Sequence, residues 1–446
     1  MSYLSSSSEI NTTPTHVYFD ALITNRNSTD TKPVQLTYFQ QRTSPILTIP
    51  EDYYFSIIRF SLDSSYLPLF IPTMDLLSEY NLTISPTNPQ PTIYSITLTY
   101  TDATTKKKYT SDQCNINWIP EFQNASLPIN SSTTQDTKTN YYYCYSYQWF
   151  ILLVNNAFNT AFNSLKAVVQ DDNVENFPNV NPPFMVWNIS SGLAVLNADV
   201  GLAGTTDEPG GGFITLESEY GNYKLTSDPN GPTVDNYSQI SIYFNSALYQ
   251  LFNSLPSIFC GYGEITTFSY TIPNEGSTYL NIPGGNVLIP VFTYGGQTVQ
   301  TQPINPLNLT STANFAQVSQ EYSTVPMWNP IEAVVFTSTT VPVFPEQLGS
   351  PLIFNNGNSE SSGENNNIIS SITDFQTSNG QYRSFLAYSP ASEYRLIDLF
   401  GNKSLSAIDI SCFFRTKYGD LVPFYLVSGA SCSLKFMFRK RNYYLN

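Results

Sequence analysis

Hydrophobic and polar residues alternate along much of this chain, most cleanly near its C-terminal end. Ile408, Ile410, Cys412 and Phe414 alternate with Asp409, Ser411 and Phe413; Cys432, Leu434, Phe436 and Phe438 alternate with Ser431, Ser433, Lys435 and Arg439. A period of two sends successive side chains to opposite faces, so each run predicts a strand with one buried face. Tyr418-Gly419-Asp420 and Ser428-Gly429-Ala430 read as turns, and the chain is expected to end in three consecutive antiparallel strands. Such a meander must cover its apolar face with a second layer. Its partners must come from far upstream.

Upstream strand candidates lie at 16–23, 33–40, 53–62, 82–85 and 93–100, punctuated by Pro and Asn clusters at 45–50, 68–72 and 86–91. The middle of the chain differs. Phe150, Val154, Ala157, Phe158, Ala161, Phe162 and Leu165 are on helical spacing, as are Phe244, Leu248, Leu251, Phe252 and Leu255 ahead of Pro256. Between them are strand candidates at 184–188, 193–196 and 213–216. Another lies within 327–348, and 355–367 has the composition of a mobile loop. The expected fold is therefore all-β. One β-sandwich is formed by N-terminal strands (15–109) and C-terminal strands (366–446), with a large mixed, mostly β insertion domain (110–365) and a polar N-terminal arm (1–14). Greek-key wiring permits this, because it makes sequence-distant strands neighbours.

Composition sharpens the picture. Of the 446 residues 41% are hydrophobic and only 12% charged, about half the ordinary charged share; Tyr (32) and Phe (29) are abundant. Aromatic-rich, charge-poor surfaces suit burial against neighbours. A net charge of −15 disfavours binding to phosphate backbones, so no specific nucleic-acid partner is expected. The opening MSYLSSSSEI lacks the basic and apolar regions of a signal peptide, and no apolar run approaches the ~18 residues of a membrane span. Cys114, Cys144, Cys260, Cys412 and Cys432 form no C-x-x-C pair and are expected as small buried apolar residues.

Candidate chemistry is sparse. His16 is the single histidine, so catalytic triads and most zinc sites lack their parts; it is expected to be structural or solvated. Gly261-Tyr262-Gly263 lacks the rest of a nucleotide-binding fingerprint, and 228–235 lacks the closing Glu of a calcium loop. Asp171-Asp172 is expected to be solvated, and Lys106-Lys107-Lys108 to be a solvated hairpin end. Neither an enzymatic activity nor a cofactor or metal is expected. The remaining basic cluster, Arg439, Lys440 and Arg441, either protects a strand edge from pairing or contacts a neighbouring subunit.

The segments WNPIEAVVFTS (328–338), ITDF (372–375), ISIYFNSALYQLF (240–252) and above all 393–440 (EYRLIDLFGNKSLSAIDISCFFRTKYGDLVPFYLVSGASCSLKFMFRK) resemble virion proteins of the virophage, Polinton and polinton-like virus group. The resemblance implies a minor capsid or penton protein: a jelly-roll sandwich carrying an inserted domain and forming pentamers at fivefold vertices. It further implies contacts with neighbouring capsid proteins, residence in the virion, and synthesis in the host cytoplasm or a virus factory. Arg439, Lys440 and Arg441 would then make subunit contacts. Two other readings stay open at this point. One is a double jelly-roll major capsid protein forming trimers; the other is a fibre- or adhesin-like β-protein that binds a receptor or glycan. A full second jelly roll in the middle of the chain would favour the trimer.

Overall fold

The computed structural model describes residues 14–26, 34–76, 90–199, 239–255, 313–343, 385–389 and 395–441 apart from short breaks, with isolated strands between them. The regions 1–13, 82–85, 208–216, 228–235 and 261–263, which carry the expected arm, two expected strands and several loop readings, lie outside the described residues. In chain order the elements used below are β1 (His16–Thr24), β2 (Thr37–Gln41), β3 (Tyr53–Asp63), β4 (Gln90–Thr101), β5 (Cys114–Trp118), α1 (Tyr147–Asp171), β6 (Phe184–Asn188) and β7 (Leu193–Asp199). They continue with β8 (Gln239–Asn245), α2 (Ser246–Leu251), β9 (Ala313–Ser319), β10 (Ile331–Ser338), β11 (Asn367–Ile372), β12 (Phe385–Tyr388), β13 (Ala407–Thr416), β14 (Leu421–Pro423) and β15 (Ser431–Lys440).

The chain forms two units. The first is drawn from Met1–Leu67, Ile331–Phe375 and Tyr382–Asn446, the second from Pro68–Pro330 and Gln376–Gln381. In the first unit one sheet runs β1-β15-β3-β12, and the facing sheet contains β2-β13-β10-β11. Numbered among themselves in chain order, these eight described strands are arranged 1-8-3-6 over 2-7-4-5. That is the wiring of a jelly roll. It is written into side-chain alternation: Phe55, Phe60 and Leu62 of β3 and Leu434, Phe436 and Phe438 of β15 are buried on the inner face, opposite Ile408, Ile410, Cys412 and Phe414 of β13. Phe436 stacks on Phe19 (centroids 5.2 Å) and touches Phe55 (5.6 Å). Phe60 meets Phe336 of the other layer edge to face at 5.3 Å. Cys412 and Cys432 are buried thiols in this core; burial pushes Cys412 well up and Cys432 to about 12, so both behave as packing groups.

The C-terminal segment departs from the expected three-stranded meander. β13 and β14 pair as a hairpin, with Gly419 at φ 89° in the turn. β15 crosses to the other sheet and pairs with β1 and β3. The crossing is fixed at Gly429 (φ 84°), whose N–H donates to Asn25 O while Asn25 N donates to Ala430 O and Asn25 Nδ2 to Leu426 O. The segment 355–367, expected as a mobile loop, contains the strand Asn358–Ser361 paired with Leu352–Asn355; ladder bonds need backbone groups only, which Asn and Ser supply as well as Val does.

In the second unit β4, placed by its alternation with the first sandwich, pairs instead with β8 and β5. A second sheet contains β9-β7-β6, and the 25-residue α1 packs on β4, β5 and β6. Its inward face, including Phe150, Val154, Phe158, Ala161 and Leu165, is fully buried. Trp328 closes this core against Phe70, Phe150 and Phe252 at 5.3–5.4 Å, its Nε1 donating to Leu251 O. The stretch 240–252, which reads as one helix, is a strand followed by a single short helix. Asn245 ends β8 and caps α2, its side chain accepting the N–H of Leu248. Lys107, expected to be solvated, pairs with Asp172 just past α1 and lies over the ring of Tyr109.

Truncating the interlayer ring Phe336→Ala is expected to destabilise the protein by about 3–5 kcal/mol, measured by denaturant unfolding followed by circular dichroism.

Candidate assembly surface

In the first unit β1 and β2 are the terminal strands of their sheets on the same flank, joined across the layers by an edge contact between Phe19 and Tyr38 at 6.5 Å. Lys440 N donates to Thr15 O and Asn25 N to Ala430 O. The ladder between β1 and β15 is unshifted, so the odd-numbered residues of β1 bond to β15. Even positions such as Tyr18, Asp20 and Leu22 turn their backbone groups to the other side, where no described strand pairs with them. Their side chains also face outward: Tyr18 is 56% and Leu22 65% exposed, and Phe39 on β2 is 65% exposed. Asp20 pairs with Lys435 at 3.5 Å, and Lys435 lies over Tyr18. A flank with two open strand edges and three large exposed apolar side chains is built to be covered by another surface.

The basic cluster sits at the end of β15. Arg439 pairs in register with His16 on one side and Tyr54 on the other. Arg441 is used within the subunit. Its guanidinium bonds Asp398 and Leu399 O, both at 2.8 Å, and covers the Tyr54 ring at 5.0 Å. His16 stacks on Tyr18 and its Nδ1 lies 3.2 Å from Thr15 Oγ1. Among the described residues no group of His, Cys, Asp or Glu is placed to hold a metal ion, and no helix is long and apolar enough to cross a membrane.

One residue of the surface escapes motif reasoning. Asp409, opposite the exposed Phe39 in the β2–β13 ladder, holds the turn after β10. It accepts Ser338 Oγ (2.7 Å), Thr339 N and Oγ1 (3.0 and 2.6 Å) and Thr340 N and Oγ1 (2.8 and 2.6 Å). Partial burial pushes its carboxyl up, but the hydrogen bonds outweigh this and hold it at about 2, from an ordinary 3.8. Its only sequence signal is the run Ser338-Thr339-Thr340, about 70 residues upstream, which means nothing until the two strands pair.

A jelly roll with an uncovered flank defines a structural protein that works through its surfaces, of the kind that builds viral shells. The sequence matches the family described as Sputnik minor capsid protein V18/19 over residues 17–440, and the chain belongs to that family. It is 29% identical over 164 residues to "Uncharacterized protein V18" of Sputnik virophage, covering 36% of this chain and 89% of that protein. It is 24% identical over 211 residues to "Structural protein V19" of the same virophage, covering 46% and 92%. A chain of the Sputnik virophage structure determined by cryo-EM superimposes with TM-score 0.66 and 22% identity over 96% of this chain and 99% of that one. The protein is a structural component of a viral capsid, located in the virion, and it assembles with other capsid proteins.

Because the folded carboxyl of Asp409 holds its proton more weakly than an unfolded one, its contribution is present above about pH 4 and is lost as pH falls toward 2. Asp409→Ala is expected to cost about 1–2 kcal/mol at neutral pH after allowance for its partial exposure. The difference from wild type should vanish in acid, as read from urea midpoints across pH.

Proposed function

We propose that this protein is the penton, the subunit of the fivefold vertex, closing a pentameric ring through its first unit and acting by self-assembly, not by catalysis. The observation that carries this reading is the uncovered flank of β1 and β2 on a jelly roll interrupted once, between β3 and β10, by the second unit. The interrupted jelly roll agrees with the split architecture that the sequence resemblance implies for vertex proteins. The described part of the second unit, two sheets around a long helix, follows a different plan from the first. That supports one jelly roll with an insertion over two in tandem. In this reading residues 15–67 and 331–446 form the ring-building body, residues 68–330 the inserted domain, and residues 1–14 an arm that engages a neighbour. Arg439 and Lys440 face neighbouring capsid proteins, while Arg441 braces the chain end. The net charge of −15 opposes genome binding.

Native mass spectrometry of the purified chain, with negative-stain images, should give five copies and fivefold rotation. Three copies would transfer the assignment to a trimeric shell protein, and an isolated monomer would favour a binding module. Leu22→Asp combined with Phe39→Asp should abolish the ring while leaving the thermal midpoint unchanged. Deleting residues 1–14 should lower assembly yield without altering melting; an unchanged yield would remove the arm from the interface.

A further inference from the structure

In the second unit three attachments fasten the end of β5 to the start of α1. Trp118 Nε1 donates to Tyr141 O at 2.8 Å, and Trp149 Nε1 donates to Ile119 O at 2.9 Å. Glu121 Oε2 accepts the backbone N–H of Tyr145 at 2.6 Å and of Ser146, the N-cap of α1, at 3.2 Å. The same segment is tied to Phe70, whose N–H donates to Cys144 O and whose carbonyl accepts Cys144 N–H. Every attachment but one is between neutral groups. Glu121 alone brings a charge.

Both N–H groups use one oxygen of Glu121, Oε2. A proton can therefore sit on Oε1 without displacing either bond. The titratable groups that face the carboxyl are the buried Cys144 thiol, whose Sγ donates to Ser146 O at 2.9 Å, and beyond it Tyr147 in the first turn of α1, which acts on Cys144. None of the groups that act on the carboxyl is a cation. An ionised Glu121 is thus a buried charge compensated only by dipoles. Burial pushes its carboxyl up to about 7, against the downward pull of the two N–H groups and the thiol.

We propose that Glu121 is a proton-operated latch of the second unit. Uptake of one proton on Oε1 removes the buried charge and keeps both Oε2 bonds, so the grip of β5 on the start of α1 tightens as the surroundings acidify. The folded carboxyl binds its proton more tightly than an unfolded one, whose ordinary value is 4.5. Proton uptake therefore accompanies folding. The latch contributes fully below pH 4.5, weakens as pH rises toward about 7, and contributes nothing further above that. Within this window the unfolding equilibrium shifts by at most about tenfold per pH unit.

The test uses the full chain. All four tryptophans, Trp118, Trp149, Trp187 and Trp328, lie in the second unit, whereas the single histidine, His16, lies in the first. Tryptophan fluorescence therefore follows the unit that holds Glu121, free of histidine titration. Its unfolding midpoint should rise on going from about pH 8 to about pH 5.5. In Glu121→Gln the midpoint should be independent of pH over that range and, at the alkaline end, higher than that of wild type. A Glu121→Gln protein that keeps the wild-type pH dependence would overturn the proposal. Should that variant fail to fold, infrared spectra of wild-type protein carrying ¹³C-labelled glutamate decide the matter. A protonated-carboxyl band that grows between about pH 8 and 6 supports the latch, and one that stays absent until exposed glutamates titrate, near pH 4–5, rejects it.

Discussion

The body of this capsid protein depends on one ladder, in which the last strand of the chain lies between the first and the third. β15 pairs with β1 from His16↔Arg439 to Thr24↔Ser431, and with β3 from Tyr53↔Lys440 to Leu62↔Cys432. Phe436 sits at the centre of this arrangement, against rings from both partners. Without β15, β1 would be joined to nothing in its sheet. Ladders between residues some four hundred positions apart carry a high loop-closure cost, which must be met before the contacts repay it. The jelly roll therefore closes last, and the second unit, all of whose main segments precede β10, has its parts available earlier.

The insertion is compatible with the same physics. The jelly roll leaves by Asp63 at the end of β3 and returns by Ile331 at the start of β10. Lengthening a connection adds closure cost only logarithmically, so a folded unit can occupy it while the strands on either side keep their pairing. What then holds the returning strand is local: β10 lies between β13 and β11, and the turn that follows it is gripped by Asp409 through backbone and hydroxyl donors. A charge held by hydrogen bonds on the partly exposed face of the first unit and a charge buried in the second respond to pH in opposite senses. The first needs its carboxylate ionised, and the second is relieved when its carboxyl is neutral.

The surface logic follows from composition. A shell subunit with few charges cannot protect two strand edges by electrostatic repulsion, and β1 carries only the Asp20–Lys435 pair on its outward face. Tyr18, Leu22 and Phe39 remain in contact with solvent in the isolated chain. Sparse charge, abundant tyrosine and open edges are thus aspects of one design, in which neighbouring subunits supply the missing cover.

Periodicity alone determined that β1, β3, β13 and β15 are strands, which of their faces are buried, and that α1 is a long helix, because those properties depend on residues a few positions apart. Sequence resemblance added the family. Tertiary structure decided what periodicity cannot carry: that β4 belongs with β8, that β10 and β11 belong to the jelly roll, and that β15 crosses to the sheet opposite β13. Every strand offers the same backbone donors and acceptors, so alternation names a buried face without naming the neighbour. The run 240–252 misled because apolar residues at both periods overlap there, and Asn245, which caps α2, breaks the pattern at a point visible only in three dimensions. Asp409 and Glu121 were silent in sequence for the same reason, since a carboxylate acquires its character from the groups that folding brings around it.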